Sequence, residues 1–255
     1  PARSSRNEGH PAPARRGLFR TYTCLFPGRP SRVPNSSDSV PTMISTLIFD
    51  LDGTLVDTAP DLALAANLVR TARGLEPLPE TELRPFATRG ATGLLGAALG
   101  VEKTDPDFPA LREEFLKNYT VNLTAKSRPF PGIPALLEAL RHGGARLAVA
   151  TNKQAAFASI ILRDLALSPY FDSILSSDSP GCAMKPRPDM ILRTLEALDV
   201  APEETIYVGD DPVDLDASRC AGVRTVLVDW GYARVDLHEL DADRVVSCPE
   251  ELLCY

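Results

Sequence analysis

The sequence predicts an α/β fold: a doubly wound parallel sheet with an inserted all-helical segment. Beyond residue 145, short buried strand patterns alternate with amphipathic helix patterns, which is typical of a parallel sheet covered on both faces. Between the first strand and this alternating region, residues 59–128 show only helical patterns. With 255 residues, 44% hydrophobic and 24% charged, the chain is long enough for one sizeable core and a small insert.

The first elements are one strand and a group of helices. The run ISTLIFDLDG at 44–53 predicts a short buried strand that ends in a turn. A helix is expected from Pro60 to Gly74, because proline suits a first helical turn and glycine stops a helix. Three further helical stretches follow, the first of them interrupted by Pro85: TELRPFATRG, ATGLLGAALG and FPALREEFLKNYTVNL.

The alternating region supplies the remaining strands and helices. The strand patterns are RLAVATN, FDSILSS, TIYVGD and VRTVLVDW, and the helix patterns between them are QAAFASIILRDLAL, PDMILRTLEALD and LDASRCAG. Residues 236–255 predict a short strand and a terminal helix. The expected division is a core domain of residues 43–58 and 129–255 and a helical domain of residues 59–128.

Residues 1–42 differ from the rest of the chain in charge and pattern. They contain seven arginines and two acidic residues, a net charge of +5, and show no hydrophobic periodicity. This composition predicts a disordered basic tail. A start codon assigned too far upstream, with Met43 as the initiator, and a targeting segment are alternative explanations.

Charge and composition argue against several classes of function. A formal charge of −7 and a pI near 5.1 are unfavourable for nucleic acid as the main partner. The sequence has no apolar run of the roughly 18 residues that a membrane-spanning helix needs. Five cysteines, an odd number without CxxC spacing, favour reduced thiols in a cytoplasmic protein over disulfides or a zinc site.

Acidic and polar residues cluster at the carboxyl ends of three predicted strands. One acid at such a place is usually a helix cap or a turn residue, but three strand ends are harder to explain in that way. Ligands of doubly wound sheets bind beyond these ends, and oxygen ligands suit Mg²⁺ better than Zn²⁺. The cluster consists of Asp50, Asp52, Thr151, Asn152, Asp210, Asp211 and Asp214, with Lys185 in the loop after FDSILSS.

Four motifs at these positions resemble the signature of the haloacid dehalogenase superfamily of phosphatases. The motifs are Asp50-Leu51-Asp52-Gly53-Thr54-Leu55-Val56-Asp57, Thr151-Asn152, Lys185-Pro186-Arg187-Pro188 and Val208-Gly209-Asp210-Asp211-Pro212-Val213-Asp214. The resemblance covers most of residues 44–230 and implies a Rossmann-like core with a small helical cap. It implies a phosphatase, because dehalogenase members lack an acid at the position of Asp52.

The resemblance also implies the catalytic roles. Asp50 is expected to be the nucleophile that forms an aspartyl-phosphate. Asp52 is expected to protonate the leaving group and then to activate water. Thr151 and Asn152 are expected to bind the phosphoryl group, and Lys185 to stabilise its negative charge.

The metal site implied by the resemblance holds Mg²⁺ as the cofactor. Its expected ligands are Asp50, Asp210 and the backbone carbonyl of Asp52. Asp214 is expected to orient these ligands or Lys185, and Asp211 is expected to be an occasional ligand of the Mg²⁺ ion.

The expected substrate is a small soluble phosphate ester, because a closing cap excludes water and large substrates. The segment LRPFATRGA, residues 83–91, resembles the substrate-facing part of phosphoglycolate phosphatases. In this segment, Arg89 would either contact a carboxylate of the substrate or be only a solvated charge. Phosphoglycolate hydrolysis by a monomer or homodimer is thus expected. N-acetylmuramic acid 6-phosphate, another sugar phosphate, a mutase of the β-phosphoglucomutase type and a catalytically silent regulator stay open as alternatives.

Overall fold

The structure is a computed structural model and describes residues 43–255. The tail predicted for residues 1–42 lies outside the described residues. Within the described part of the chain, no helix is both long and apolar enough to cross a membrane.

The cysteines differ in state. Cys182, Cys248 and Cys254 are free thiols, in agreement with the sequence-based expectation. Cys220 is disulfide-bonded, so the expectation of reduced thiols is wrong for this residue. Cys24 lies outside the described residues.

The core is a six-stranded sheet in which every neighbouring pair of strands is parallel. Numbered in chain order, its strands are β1 (Thr46–Phe49), β4 (Arg146–Thr151), β5 (Ser173–Ser176), β6 (Thr205–Gly209), β7 (Arg224–Val228) and β8 (Arg244–Val246). A separate antiparallel pair consists of β2 (Val56–Asp57) and β3 (Arg128–Pro129). The order across the sheet is β5-β4-β1-β6-β7-β8, so β1 lies between β4 and β6.

Both faces of the sheet are covered, because successive strand residues point to opposite sides. On β1, Leu47 and Phe49 belong to one apolar cluster and Ile48 to another. The first cluster includes residues of α5 (Ile133–His142) and α6 (Ala155–Asp164), and the second includes residues of α7 (Asp189–Leu198) and α8 (Pro212–Ala221). Helices on both faces of a parallel sheet confirm the predicted doubly wound α/β fold.

Four α-helices lie between β2 and β3, and we call residues 59–128 the helical segment. They are α1 (Ala59–Thr71), α2 (Glu80–Leu83), α3 (Gly90–Leu99) and α4 (Phe108–Val121). Their buried side chains, such as Leu62, Leu94 and Phe115, continue the first apolar cluster. Residues Arg84–Arg89 form a 3₁₀-helix instead of an α-helix, because Pro85 lacks the backbone donor that a continued α-helix needs.

Other elements also differ from the sequence-based expectation. β2 and β3 are missed because a two-residue strand carries no alternating pattern. α5 is missed because Gly132 and Pro134 are typical of a loop, although proline is tolerated in a first helical turn, where Pro134 lies. The terminal helix is a 3₁₀-helix at Pro249–Cys254.

Candidate active site

The carboxyl ends of β4, β1 and β6 lie side by side and bring three predicted site residues together. Asp50 follows β1 directly, and its backbone N–H donates to the Val208 carbonyl of β6 at 2.9 Å. Thr151 is the last residue of β4, and Asp210 follows β6. All three side chains are buried. The parallel sheet therefore presents a hydroxyl and two carboxyl groups along one edge.

The turn after β1 packs against the carboxyl group of Asp210. The Leu55 N–H donates to the Leu51 carbonyl at 3.0 Å, which closes the turn. Gly53 has a φ of 86°, and a Cβ there would collide with the Asp210 carboxylate, so glycine is required. Thr54 Oγ1 donates to Asp210 Oδ1 at 3.2 Å. The Gly-Thr of the first motif thus fixes the distance between two strand ends.

Lys185 places a buried positive charge at the centre of the cluster. Its ammonium, 1% exposed, donates to the Ala150 carbonyl at 3.1 Å, to the Tyr207 hydroxyl at 2.7 Å and to Asp214 Oδ1 at 2.7 Å. These bonds use all three donors of an ammonium group. Asp50 Oδ1 lies 2.8 Å from the same nitrogen and forms an ion pair with it. Lys185 therefore holds the Asp50 carboxylate beside the other acids of the cluster.

Burial makes the acids at the strand ends difficult to ionise. It raises the pKa of Asp50 from 3.8 to about 6; the Lys185 charge opposes this rise and the Asp214 charge adds to it. Burial also raises the pKa of Asp210 well above its ordinary value, and the charges of Asp214 and Asp50 add to the effect. Carboxylate oxygens of Asp50, Asp210 and Asp214 lie within 4.8 Å of one another. Buried acids at this spacing are stabilised by additional positive charge.

Asp214 is already satisfied by groups of the protein. Its Oδ1 accepts from Lys185, and its Oδ2 accepts from the backbone N–H groups of Asp210 and Asp211, both at 3.1 Å. Asp211 and Asp214 also form the capping box that begins α8. The oxygens best placed to hold a cation are therefore those of Asp50 and Asp210, and an oxygen-only donor set suits a hard cation.

Asp52 forms a separate ion pair with Lys153, a residue that the sequence analysis missed. Lys153 Nζ donates to the two Asp52 oxygens at 2.9 and 2.8 Å, and Thr58 Oγ1 donates at 2.6 Å. The Lys153 side chain is only 6% exposed. Burial lowers the pKa of Lys153, but the charge and hydrogen bonds of Asp52 and the interaction with Tyr119 together outweigh burial, so the net pKa is raised. The one feature of the sequence that could have indicated Lys153 as a site residue is its position directly after Thr151-Asn152.

Asn152 holds the loop that carries Lys185. Its side-chain carbonyl accepts the Lys185 N–H at 2.7 Å, and its amide donates to the Lys185 carbonyl at 3.2 Å. In the structure this side chain therefore positions Lys185, and binding of the phosphoryl group by Asn152 stays a prediction. Thr151 Oγ1 accepts the Lys153 N–H at 3.2 Å, which leaves its hydroxyl hydrogen for a ligand.

A cavity of about 440 Å³ lies between these residues and the helical segment. Asp50, Asp52 and the residues around them form one wall. The helical segment forms the other wall and contributes three exposed cationic side chains, which are Arg89, Lys103 and Arg112. Acids on one wall and cations on the other suit a ligand that binds a metal ion and carries negative charge.

Tyr232 fixes the junction between the core and the helical segment. Its hydroxyl accepts the Thr58 N–H at 2.7 Å and donates to Asp57 Oδ1 at 2.8 Å. Its backbone N–H donates to Asp210 Oδ2 at 2.8 Å. Arg84 of the helical segment pairs with Asp57 Oδ2 at 2.9 Å. Tyr232 thus joins a buried acid of the cluster to the first connection of the helical segment, and no motif in the sequence indicated it.

The fold and the site define an α/β enzyme with paired acids and a lysine at adjacent strand ends, beneath a helical insert. The haloacid dehalogenase-like hydrolase family matches residues 47–228. The chain belongs to this family, which confirms the resemblance found in the sequence.

Two similar proteins with assigned activities are phosphatases. The N-acetylmuramic acid 6-phosphate phosphatase of Pseudomonas aeruginosa is 34% identical over 212 residues, which is 82% of this chain and 93% of the relative. The phosphoglycolate phosphatase of Caulobacter vibrioides is 37% identical over 205 residues, which is 79% of this chain and 86% of the relative. A solved structure described as a predicted phosphoglycolate phosphatase from Haemophilus somnus aligns with a TM-score of 0.74 and 28% identity, covering 83% of this chain and 97% of that one.

Proposed function

We propose that the chain is a magnesium-dependent phosphatase that hydrolyses phosphoglycolate through an aspartyl-phosphate on Asp50. The observation that carries this proposal is the Asp50 carboxylate, which is buried at a strand end with Oδ1 2.8 Å from Lys185 Nζ. A carboxylate held in place beside a cation is suited to attack an electrophile. Membership of a hydrolase family and the names of the relatives support phosphoric monoester hydrolysis.

The proposed reaction has two steps that share the same acids. In the first, an Asp50 oxygen forms a bond to phosphorus while the bond from phosphorus to the leaving oxygen breaks, and Asp52 donates a proton to that oxygen. In the second, Asp52 takes a proton from a water molecule, which attacks phosphorus, releases phosphate and restores Asp50. Lys185 and Thr151 hold the phosphoryl oxygens throughout.

The residues present fit a magnesium ion. Asp50, Asp210 and the backbone carbonyl of Asp52 would hold it, and oxygen ligands are those that magnesium prefers. The proximity of the Asp50 and Asp210 carboxylates, which lie within 4.8 Å of each other, and their raised pKa values support this assignment. When bound, the ion would offset the negative charge of the phosphoryl group.

Magnesium is expected to raise the melting temperature of the chain, and to raise it less at low pH. Because the pKa of Asp50 is raised from 3.8 to about 6, the metal-free fold loses stability as the pH rises through this window and the buried carboxyl ionises. Magnesium binds the ionised form and offsets this loss at higher pH. Thermal unfolding with and without MgCl₂ at about pH 8 and about pH 5 measures the difference.

The control for this measurement is Asp210→Asn, which removes one proposed ligand and should abolish the magnesium-dependent shift. Equal shifts at the two pH values in the unsubstituted chain would contradict metal binding by the buried acids.

The helical segment, residues 59–128, serves in this proposal as a cap on a core domain of residues 43–58 and 129–255. It supplies the second wall of the cavity, and β2 and β3 lie at its two connections to the core. A cap in this position excludes water from the reacting groups and limits the substrate to a small ester.

N-acetylmuramic acid 6-phosphate is the second candidate substrate. A cavity of about 440 Å³ has room for a sugar ring. A relative with 34% identity carries this activity in its name. Phosphoglycolate ranks first because the buried charge of Lys153 lies beside Asp52, next to the place of the leaving oxygen.

Phosphate release from a panel of esters, with Mg²⁺ and with EDTA, tests the proposed function. The panel contains phosphoglycolate, N-acetylmuramic acid 6-phosphate, β-glucose 1-phosphate and other sugar phosphates. Metal-dependent release that is greatest with phosphoglycolate is expected. Conversion of β-glucose 1-phosphate without phosphate release would instead indicate a mutase, and no reaction with any ester by the folded chain would contradict the proposal.

A further inference from the structure

The hydroxyl of Tyr119 is a buried polar group without a hydrogen bond. Tyr119 lies on α4, is 2% exposed and lines the cavity, and its hydroxyl has no hydrogen-bond partner in the part of the chain that the structure describes. Its ring centroid lies 6.2 Å from that of Phe115 and 5.4 Å from that of Phe157. A phenylalanine would make the same ring contacts without an unsatisfied hydroxyl. The hydroxyl therefore adds nothing to the packing and is available to a ligand.

Lys153 places a buried positive charge beside this hydroxyl. Its Nζ lies 5.0 Å from the centroid of the Tyr119 ring. Two of its three donors bind Asp52, and the ammonium also faces the Tyr119 hydroxyl, so the two groups lie together at the cavity wall. Burial raises the pKa of Tyr119 to about 12, although the Lys153 charge opposes the rise, so the hydroxyl stays protonated and can donate.

The position of these two groups relative to Asp52 limits what they can contact. Asp52 protonates the leaving oxygen in the proposed reaction, and Lys153 Nζ touches its carboxylate at 2.8 Å. Lys153 and Tyr119 therefore lie next to the first few atoms of the leaving group. Arg89 also lines the cavity but is exposed, and the charge of a solvated side chain acts on a ligand more weakly than a buried one.

We infer that Tyr119 and Lys153 bind the carboxylate of the leaving group and so select phosphate esters of 2-hydroxy acids. This inference rests on the proposed function and names its substrate class. In phosphoglycolate a single methylene separates the ester oxygen from the carboxylate. In N-acetylmuramic acid 6-phosphate the carboxylate is on a lactyl ether at another position of the sugar ring. Tyr119 and Lys153 therefore favour phosphoglycolate over N-acetylmuramic acid 6-phosphate.

The test compares phosphoglycolate with 2-hydroxyethyl phosphate, which has the same length and no carboxylate. In Tyr119→Phe the ratio of kcat/KM between the two esters is expected to fall about 10- to 100-fold, as for the loss of one hydrogen bond to a charged group. The matched control is Tyr170→Phe, the same chemical change at a residue that does not line the cavity, and there the ratio is expected to stay as in the unsubstituted chain.

A second readout separates substrate binding from a structural role. Because the variant loses an unsatisfied buried hydroxyl, the melting temperature of Tyr119→Phe is expected to rise, by roughly 2–4 °C. A hydroxyl needed for the fold would instead lower it and would slow both esters equally. Lys153→Met should also raise KM more for phosphoglycolate than for 2-hydroxyethyl phosphate, and Lys153→Arg should restore part of the difference.

The outcomes distinguish the inference from the proposed function. If the unsubstituted chain prefers phosphoglycolate and Tyr119→Phe keeps that preference, the inference is overturned and the proposed function stands. If the unsubstituted chain hydrolyses sugar phosphates but does not prefer phosphoglycolate to 2-hydroxyethyl phosphate, the inference and the proposed substrate are both overturned while the phosphatase reaction stands.

Discussion

Asp50→Asn is expected to lose turnover by about 10⁴-fold or more and to keep its fold. The amide of asparagine has nearly the size of the carboxylate but cannot form the bond to phosphorus. The backbone N–H at this position still donates to the Val208 carbonyl, and Lys185 keeps its three hydrogen bonds. The variant also loses a buried carboxyl group whose pKa is raised to about 6, so no loss of stability is expected at neutral pH.

Steady-state hydrolysis of the best ester in the panel, with far-ultraviolet circular dichroism as the check on folding, measures this effect. Asp199→Asn is the matched control, because Asp199 is exposed after α7 and its φ of 51° also suits asparagine. The control should retain full activity. Turnover of Asp50→Asn within tenfold of the unsubstituted chain would exclude Asp50 as the nucleophile.

Lys185→Met is expected to lose both activity and about 3–5 kcal/mol of folding free energy, because one partner of a buried ion pair is removed. The Lys185 side chain is 1% exposed and lies 2.8 Å from Asp50 and 2.7 Å from Asp214. Without the ammonium, these two buried carboxyl groups face each other without a positive charge. Urea unfolding at neutral pH measures the loss of stability.

The pH dependence of this loss identifies its cause. Lowering the pH protonates carboxyl groups that have lost their cation, so the loss should be smaller at about pH 5 than at about pH 8. Lys117→Met, an exposed lysine of α4, is the control and should change stability by less than about 0.5 kcal/mol. If Lys185→Met loses the same folding free energy at both pH values, the loss would come from packing contacts and not from unpaired charge.

The sequence was sufficient to predict the sheet and the acids at its edge. Strand ends can be predicted from short buried runs, and parallel strands bring their carboxyl ends to one edge of the sheet. Asp50 and Asp210 are therefore brought together by the topology, although 160 positions separate them in the sequence. The resemblance of the surrounding motifs to a known family added Lys185 to the predicted site. Hydrophobic periodicity alone would not have indicated this residue.

The site roles of residues outside these motifs could not be predicted, because contacts between residues far apart in the sequence determine their positions. Tyr119 follows Phe115 at helical spacing and is typical of a core position, so the sequence does not show that its hydroxyl lacks a partner. Tyr232 lies in a loop, and its bond to Thr58 spans 174 positions. Lys153 begins a loop before α6, where a lysine is most often solvated. Only the packing of the helical segment against the sheet places Lys153 next to Tyr119.

Covalent phosphorylation of Asp50 is tested most directly by rapid quenching of Asp52→Asn in acid, followed by peptide mass spectrometry. Acetyl phosphate is the phosphoryl donor, because its leaving acetate needs no proton from residue 52. Without Asp52 to activate water, the phosphoryl group is expected to accumulate on the peptide that contains Asp50, and to be absent when Asp50→Asn is added. A phosphoryl group on another residue, or hydrolysis that continues while no peptide is modified, would contradict an aspartyl-phosphate on Asp50.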